Sequence, residues 1–278
     1  MESARVGAGM KAAEEAMEGR RPVEGVKNIL AIASGKGGVG KSTVSANVAA
    51  ALRKAGARVG LLDADIYGPS IPTLLNLENH QLLGENGRIL PAEADGIKVV
   101  SMGFLLEEDS PVIWRGPMLI KALTQFLHGT KWGELDYLVI DLPPGTGDVP
   151  LSLVQMTPVA GAIVVTTPQD LALIDVKKAV RMFEKVGVPI LGVIENMSYF
   201  LCPHCDGRSE IFGHGGASDA CRTMGLRFLG EVPLQTTVRE ASDAGIPIVS
   251  RAPDSPAAVA LTKAASEAAA VLAVLEAL

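Results

Sequence analysis

A glycine-rich stretch, GKGGVGKS, has the residue types and the spacing that bind phosphate. It fits the pattern G-x-x-x-x-G-K-[ST], in which glycines let backbone N–H groups approach a polyphosphate closely. We expect Lys41 to reach the β- and γ-phosphates and Ser42 to bind Mg²⁺. A helix that begins here adds the positive end of its dipole. The residues expected to contact a nucleotide are Gly35, Lys36, Gly37, Gly38, Val39, Gly40, Lys41, Ser42 and Thr43.

Carboxylates that suit a nucleotide-bound metal ion follow two other apolar runs. LLDAD ends in Asp63 and Asp65, which are two residues apart and therefore lie on one side of an extended chain. YLVID ends in Asp141, and an apolar strand ending in aspartate commonly directs its carboxylate to the Mg²⁺ shell. Because ligands bind at the carboxyl ends of parallel strands, we expect the three side chains to meet. Helix capping or turn formation is the alternative for each aspartate.

Two of the three cysteines, Cys202 and Cys205, form the motif CPHC. Alone, C-x-x-C is compatible with a redox pair, half of a zinc site, two ligands of an iron–sulfur cluster or two incidental thiols. His204 and His214 are nearby but are typical of polar loop residues. Cys221 lies in ASDACRTMG, an apparent amphipathic helix, and is typical of a small buried thiol. A site with four ligands therefore lacks two of them.

The elements that must position these residues alternate between strand and helix. The runs NILAIAS, ARVGLLDAD, IKVVSMGF, DYLVID, AGAIVVTTP, PILGVIENM, RFLGEVPL and PIVS predict strands. KSTVSANVAAALRKAG, PMLIKALTQFLHG, DLALIDVKKAVRMFEKVG and the tail that begins at Ser255 and Pro256 predict helices. Residues 66–96 read as loop with short helical turns. This order predicts an α/β fold with one doubly wound, mainly parallel sheet and helices on both faces.

Composition narrows the class of protein. Hydrophobic residues make up 48% of the 278 residues and aromatics only 4%, which favours an aliphatic core around a parallel sheet. We predict a mobile leader over residues 1–26 and a single domain over residues 27–278. The net charge of −6 disfavours nucleic-acid binding. Few cysteines, no secretory signal and no apolar run judged long enough for a bilayer predict a cytoplasmic protein without nucleic-acid or membrane partners.

A second lysine in the glycine-rich stretch, Lys36, follows the first glycine. Two lysines so close repel each other unless a polyphosphate sits between them. KGGVGK resembles the deviant Walker A motif of the dimeric P-loop ATPases, which include the MinD, ParA, nitrogenase iron-protein and Mrp families. In that class the early lysine reaches the nucleotide of the opposite subunit. The resemblance therefore implies an ATP-dependent homodimer and a slow ATPase.

The resemblance also implies roles for individual residues. Asp65 would orient the attacking water, Asp63 would support the metal, and Asp141 would hold Mg²⁺ through water. The Gly145 N–H would meet the γ-phosphate. Asn196 would pair with adenine, although a turn-forming asparagine is the alternative. The segment around Pro233 would form a second wall of the base pocket. The residues assigned to catalysis are Lys36, Lys41, Asp65 and Asp141.

A wider set of segments narrows the resemblance to one family. GVKNILAIASGKGGVGKST, LLDADIYGPSIP, DYLVIDLPPGTGD, IENMSYFLCPHC and IFGHGG occur in this order. Together they are similar to the Mrp-type ATP-binding iron–sulfur cluster carriers. In that family the two C-x-x-C motifs of a dimer hold one [4Fe–4S] cluster, so Cys202 and Cys205 would be the ligands. Cytosolic eukaryotic relatives have a further N-terminal cysteine cluster, whereas no cysteine precedes Cys202 here.

Three functions compete at this point. The first is an ATPase that holds a [4Fe–4S] cluster and transfers it to apo iron–sulfur proteins. The second is a positioning ATPase of the MinD or ParA kind, and neither of those families needs CPHC. MinD-like proteins end in a basic amphipathic membrane helix, whereas this tail has one lysine, Lys263, after Pro256. ParA-like proteins need a basic surface for DNA, which the net charge does not favour. The third is a dimeric ATPase stapled by zinc. Iron and sulfide reconstitution separates the first function from the others.

Overall fold

The computed structural model describes residues 20–105, 116–205 and 207–277. The strands are β1 (Val26–Ser34), β2 (Val59–Asp63), β3 (Leu83–Glu85), β4 (Arg88–Leu90), β5 (Ala92–Ala94), β6 (Ile97–Ser101), β7 (Leu135–Asp141), β8 (Gly161–Thr166), β9 (Ile190–Leu201), β10 (Arg208–Ser209) and β11 (Phe228–Leu234). The helices are α1 (Lys41–Lys54), α2 (Ile71–Leu74), α3 (Gly116–His128), α4 (Asp148–Met156), α5 (Asp170–Lys185), α6 (Gly216–Met224), α7 (Thr236–Asp243), α8 (Ile248–Arg251) and α9 (Pro256–Glu276). A 3₁₀ helix covers Met102–Leu105.

Nine of these strands form one sheet in the order β10–β9–β8–β1–β7–β2–β6–β5, with β11 also paired to β9. Only β5 and β10 pair antiparallel, and every other pairing in this sheet is parallel. Alternate β1 residues pack into two core clusters, one with α1 and α9 and the other with α3, α4 and α5. The predicted doubly wound, mainly parallel sheet with helices on both faces is therefore confirmed.

The register of the central strands brings their carboxyl ends together. Asp141 of β7 pairs with Ile32 of β1 on one side and with Asp63 of β2 on the other. Ser34, the last residue of β1, pairs with Val165 of β8. All four strand ends are buried, because helices cover both faces of the sheet. The loops that leave these strands therefore share one edge of the sheet.

Several local predictions differ from the structure. PIVS was predicted as a strand, but Ile248–Arg251 is helical and begins after Pro247, which sets the backbone at the helix N-terminus. Residues 66–96, predicted as loop with helical turns, contain α2 and also the strands β3, β4 and β5. The short helices α4 and α7 were not predicted. Such elements are three to nine residues long, too short for a reliable period.

Most of the predicted leader, residues 1–19, lies outside the described residues. Residues 20–26 pack against the domain, which extends it upstream of the predicted boundary at residue 27. Val23 is 4% exposed and belongs to the core beneath α3. The Arg21 N–H donates to the Met156 carbonyl at 3.1 Å, and the Arg20 guanidinium donates to the Val186 carbonyl.

Helix α9 is long and apolar enough, by length and composition, to cross a membrane. The expectation that no apolar run reaches that length is therefore wrong. A core helix of a domain meets the same criterion, and α9 buries one face against α1 and β11. Ser255 caps it, since its hydroxyl accepts the Ala258 N–H at 3.3 Å, as the sequence predicted. The residues of the buried face are Ala257, Ala258, Leu261, Ala264, Ala265, Ala268 and Leu272.

A charged clamp joins the starts of three central strands at the opposite edge of the sheet: Lys27 of β1, Asp136 of β7 and Arg58, which immediately precedes β2. Asp136 of β7 accepts hydrogen bonds from the Arg58 guanidinium at 3.0 and 3.1 Å and from the Arg58 N–H at 2.9 Å. Lys27 of β1 donates to the same carboxylate at 3.0 Å. The Arg58 hydrogen bonds, followed by Lys27, hold the pKa of Asp136 well below its usual range.

Replacing the clamp carboxylate, Asp136→Asn, is expected to lower the melting temperature at neutral pH. The depressed pKa of Asp136 means that its stabilisation is fully present above the unfolded value of about 3.9. It is lost as the pH falls from there toward the folded value. Thermal unfolding followed by circular dichroism should therefore show a gap between the two proteins that narrows below about pH 4.

The matched control is Asp243→Asn. Asp243 pairs with Arg239 within the single helix α7, and its side chain is 62% exposed, so the change should have little effect. An equal loss in the control, or a gap for Asp136→Asn that does not vary with pH, would contradict the assignment.

Candidate nucleotide site and cysteine loop

The glycine loop, residues 35–40, connects β1 to α1 and encloses an open cavity of about 370 Å³. Gly40 is the N-cap of α1 and has a φ of 77°, a left-handed conformation that favours glycine. A Cβ added at Gly37 or Gly38 would have no atom within 4 Å, so these peptide groups border open space. The cavity is lined by Ser34, Lys36, Gly37, Gly38, Gly40, Lys41, Ser42, Thr43, Asp65, Tyr67, Gly68, Ser70 and Pro144.

Asp141 lies beneath this cavity and connects β7 to the start of α1. Its Oδ1 accepts the Lys41 ammonium at 2.8 Å and the Ser45 hydroxyl at 2.7 Å. Its Oδ2 accepts the Ser42 hydroxyl. Asp141 is fully buried and Lys41 is 6% exposed, so each depends on its partners for polar contacts. The structure thus brings together Lys41, Ser42 and Asp141, as the sequence predicted.

The two carboxylates at the end of β2 differ in their surroundings. Asp63 is fully buried and accepts the Ser101 hydroxyl at 2.8 Å and the Asp65 N–H at 3.1 Å. Burial, followed by repulsion from Asp141, raises the pKa of Asp63 to about 8. Asp65 lines the cavity, 3.7 Å from the Lys41 ammonium, and burial raises its pKa. Asp63 therefore supports the backbone, whereas Asp65 faces the cavity.

Lys36 lies at the cavity but does not pair with Asp65 or Asp141, the two carboxylates that pair with Lys41. Its ammonium donates to Gln169 Oε1 at 3.0 Å, and the Thr167 hydroxyl donates to the same oxygen at 3.4 Å. A Cβ added at Gly35 would lie 2.3 Å from Asp175 Cβ of α5, so the first glycine of the motif is required by packing. The early lysine is thus held by the segment between β8 and α5.

Two residues with predicted nucleotide contacts, Gly145 and Asn196, make other contacts in the structure. The Gly145 N–H donates to the Ser34 carbonyl at 2.8 Å, so a contact with a γ-phosphate requires this bond to break. The Asn196 amide is 8% exposed and donates to the Val39 carbonyl at 2.9 Å. Neither Asn196 nor Pro233 is among the residues that line the cavity. Their roles toward adenine stay predictions.

The motif CPHC forms the turn between β9 and β10. We call residues 202–205 the cysteine loop. Leu201 pairs with Arg208 across the antiparallel strands, and the Cys202 N–H donates to the Gly207 carbonyl at 3.0 Å. Cys202 is half-buried and Cys205 is exposed. At its base the Arg208 guanidinium lies 3.8 Å from the centre of the Tyr199 ring, a cation–π contact. The cysteine loop is therefore held in place by the β9–β10 pairing, by the backbone hydrogen bond and by the cation–π contact at its base.

His204 is part of the cysteine loop itself, whereas Cys221 and His214 lie outside it. Cys221 is 1% exposed in the core beneath α5, where burial raises its thiol pKa to about 11. His214 contacts Arg208 at 3.0 Å and Glu210 at 3.5 Å. Within residues 20–105, 116–205 and 207–277, no three histidine, cysteine or acidic side chains are grouped to hold a metal ion. The predicted buried position of Cys221 in a helix is confirmed.

Sequence reasoning missed three polar residues that support the site. Ser45 binds Asp141, and Ser101 binds Asp63. Glu195 is fully buried in the middle of β9, where it accepts the Ser198 hydroxyl at 2.6 Å and the Ala217 N–H of α6 at 3.0 Å. For Glu195 the sequence did carry a signal, which is a charged residue inside an otherwise apolar strand. A buried carboxylate requires hydrogen-bond partners.

Comparison with known proteins agrees with this geometry. The family model described as "ParA: NUBPL iron-transfer P-loop NTPase" matches residues 25–269. A relative from Aquifex aeolicus named "Iron-sulfur cluster carrier protein" is 56% identical over 249 residues, which are 89% of this chain and 68% of that protein. A relative from Dictyostelium discoideum named "Iron-sulfur cluster transfer protein NUBPL" is 53% identical and covers 85% of this chain and 74% of its own.

A solved structure gives the same result for the fold. A nucleotide-binding protein from Archaeoglobus fulgidus, in complex with ADP, is 40% identical with a TM-score of 0.72, covering 84% of this chain and 90% of its own. The chain therefore belongs to the ParA family of P-loop NTPases, in the branch of the NUBPL iron-transfer proteins.

Proposed function

We propose that this chain binds and hydrolyses ATP and carries a [4Fe–4S] cluster that it transfers to apo iron–sulfur proteins. The observation that carries the nucleotide part is the Asp141 carboxylate, which accepts both Lys41 and Ser42 beneath an open glycine loop. Peptide groups at Gly37 and Gly38 border space that a side chain would fill, as a phosphate cradle requires.

Charge balance supports a divalent cation with the nucleotide. Lys41 pairs with two carboxylates, Asp65 and Asp141, and phosphates would add further negative charge. Mg²⁺ prefers oxygen ligands and binds phosphates together with one or two carboxylates or hydroxyls. Ser42 would be a ligand, and Asp141 would hold the ion through water. The bound ion would neutralise charge on the phosphates, which is the chemistry it supplies.

The residues of the chain would contribute mainly by positioning. Lys41 would hold the terminal phosphates, and the glycine loop N–H groups would bind their oxygens. Asp65, which faces the cavity, would orient the attacking water. Lys36, held at Gln169, would extend to the nucleotide of a second subunit. Dependence on the second subunit would account for the slow ATP turnover expected of a single subunit.

The cysteine loop supports the cargo. Two cysteines of one chain give half of the four thiolates that a [4Fe–4S] cluster usually takes. A homodimer with a two-fold axis near the loop would supply the other two, because such an axis brings each loop to its own copy. Tyr67 at the cavity and Ile211 after β10 are 81% and 56% exposed, which suits a buried interface.

Two other functions remain as outcomes of the experiments. A zinc-stapled dimer would use the same four thiolates with a different metal. A positioning ATPase would need the nucleotide site alone, and CPHC would then be incidental. The names of the relatives favour cluster transfer over both. We also propose that the protein acts in the cytoplasm and does not bind nucleic acid or membrane, which the net charge of −6 and the packed face of α9 support.

Removing the phosphate-binding lysine, Lys41→Ala, is expected to abolish ATP hydrolysis and nucleotide binding. Asp65→Asn should retain binding and lower turnover by about a hundredfold, since it removes only the orientation of water. Steady-state phosphate release and titration with a fluorescent ATP analogue check the two effects separately. Asp219→Asn, an exposed aspartate of α6, is the matched control and should behave as wild type.

Because Lys41 is a buried partner of Asp141, its loss is also expected to destabilise the fold. Melting temperatures of all variants therefore accompany the kinetics. Wild-type hydrolysis by a folded Lys41→Ala protein would refute the nucleotide site.

Replacing either loop cysteine, Cys202→Ala or Cys205→Ala, is expected to abolish cluster binding. Anaerobic reconstitution with iron and sulfide should give wild-type protein a broad brown visible absorbance with about two irons per chain, as a shared four-iron cluster requires. Cys221→Ala is the matched control, because its thiol is buried in the core and should not be a ligand.

The metal content decides among the functions. Colourless wild-type protein with tightly bound zinc would support the zinc-stapled dimer. Wild-type protein that binds neither metal would leave the positioning ATPase. Retention of colour in both loop variants would refute the assigned ligands.

A further inference from the structure

The glycine loop has a buried contact that lies outside the cavity. The Asn196 side-chain amide donates to the Val39 carbonyl at 2.9 Å, across 157 residues of sequence. This carbonyl shares one planar peptide group with the Gly40 N–H. In a phosphate-binding loop such N–H groups turn toward the phosphates. A rotation of this peptide group toward a phosphate must therefore move the carbonyl that Asn196 holds.

The contact is closely packed as well as hydrogen bonded. A Cβ added at Gly40 would lie 2.3 Å from Asn196 Nδ2 and 3.4 Å from the terminal methyl carbon of Met197. Val39 is 2% exposed and Asn196 is 8% exposed. Since little space separates the loop from β9, neither can move there without the other.

The strand is irregular immediately after Asn196. Asn196 pairs with Val232 of β11, and the next paired residues are Phe200 and Leu234. Pro233 alone therefore lies opposite Met197, Ser198 and Tyr199, so β9 bulges at this point. Met197 has a φ of 53°, which is unusual for a residue other than glycine. Proline, which has no N–H to donate, is tolerated opposite a bulge.

The bulge lies between the glycine loop and the cysteine loop. Cys202 is six residues after Asn196, at most about 20 Å along an extended strand. Within the bulge, the Ser198 hydroxyl donates to the buried Glu195, which also accepts the Ala217 N–H in the first turn of α6. A bulge changes the direction of the strand beyond it. Its geometry therefore sets where the cysteine loop points.

We infer that Asn196 is a positioning residue that transmits the state of the glycine loop through the β9 bulge to Cys202 and Cys205. The inference rests on the proposed nucleotide binding but requires no cluster. It gives Asn196 a role in coupling the two sites that is separate from the adenine contact predicted from the sequence. Pro233 acts as the partner of the bulge.

Thiol labelling tests this coupling in the reduced, cluster-free chain. N-ethylmaleimide modification of Cys202 and Cys205 is followed by peptide mass spectrometry, with and without a saturating non-hydrolysable ATP analogue and Mg²⁺. The buried Cys221 serves as the internal reference. In wild-type protein the nucleotide should change the labelling rate about fivefold or more, the lower range of coupling between sites. In Asn196→Ala and Asn196→Asp the ratio of labelling rates should fall to about one, which corresponds to no coupling between the sites.

Asn47→Ala is the matched control for loss of a buried amide. Asn47 is 3% exposed and joins the Thr43 carbonyl at 2.8 Å to the Val249 N–H at 3.0 Å, without contacting β9. Its labelling ratio should stay as in wild type, even if its melting temperature falls. Binding of fluorescent ATP and GTP analogues is measured on every variant, so that labelling is compared at full occupancy.

Each outcome has a defined meaning. A wild-type ratio that persists in both Asn196 variants overturns the inference, and it also identifies protection by dimerisation alone. If the Asn196 variants lose the preference for ATP over GTP but keep the wild-type labelling ratio, the coupling role is overturned and the adenine contact is supported. Wild-type protein that binds nucleotide without any change in labelling overturns the coupling only. Wild-type protein that binds no nucleotide overturns the proposed function and the inference together, whereas failure to hold a cluster affects only the cargo.

Discussion

The buried carboxylate of Asp141 is the interaction on which the arrangement depends. It is fully buried at the end of a central strand and accepts Lys41, Ser42 and Ser45 from the first two turns of α1. A buried charge without partners would be costly, so the strand end and the helix start stay together. The glycine loop between β1 and α1 is thereby closed over the cavity. The conformation of the glycine loop therefore depends on the Asp141 carboxylate, which is hydrogen bonded by side chains of α1.

The same constraint explains the unequal roles of the neighbouring carboxylates. Three aspartates surround one lysine, and two of them are fully buried. Asp63, whose pKa is raised by burial and by repulsion from Asp141, accepts hydrogen bonds from Ser101 and the backbone. Only Asp65 remains directed into the cavity. The site thus separates a structural carboxyl group from one available to a ligand, although the sequence places them two residues apart.

Sequence patterns predicted what depends on local order. The period of long apolar runs identified the parallel sheet and its principal helices. The glycine loop motif identified Lys41 and Ser42, and the apolar strand that ends in aspartate identified Asp141. What could not be predicted depends on contacts distant in sequence. The bond from Gly145 to Ser34 and the bond from Asn196 to Val39 are invisible until the strands are paired. Short elements such as Ile248–Arg251 follow the packing around them rather than a period of their own.

The close approach of Gly40 and Asn196 has a consequence for how these two positions can vary. Asn196 can be shortened while the glycine loop keeps its backbone. The reverse order is not possible, because a side chain at position 40 would collide with the Asn196 amide. It would also have to adopt a left-handed φ of 77°. Trimming Asn196 removes the collision but leaves the backbone strain. The coupling between the two sites therefore restricts the order of substitution, and an evolutionary path through this pair must begin at Asn196 of the strand.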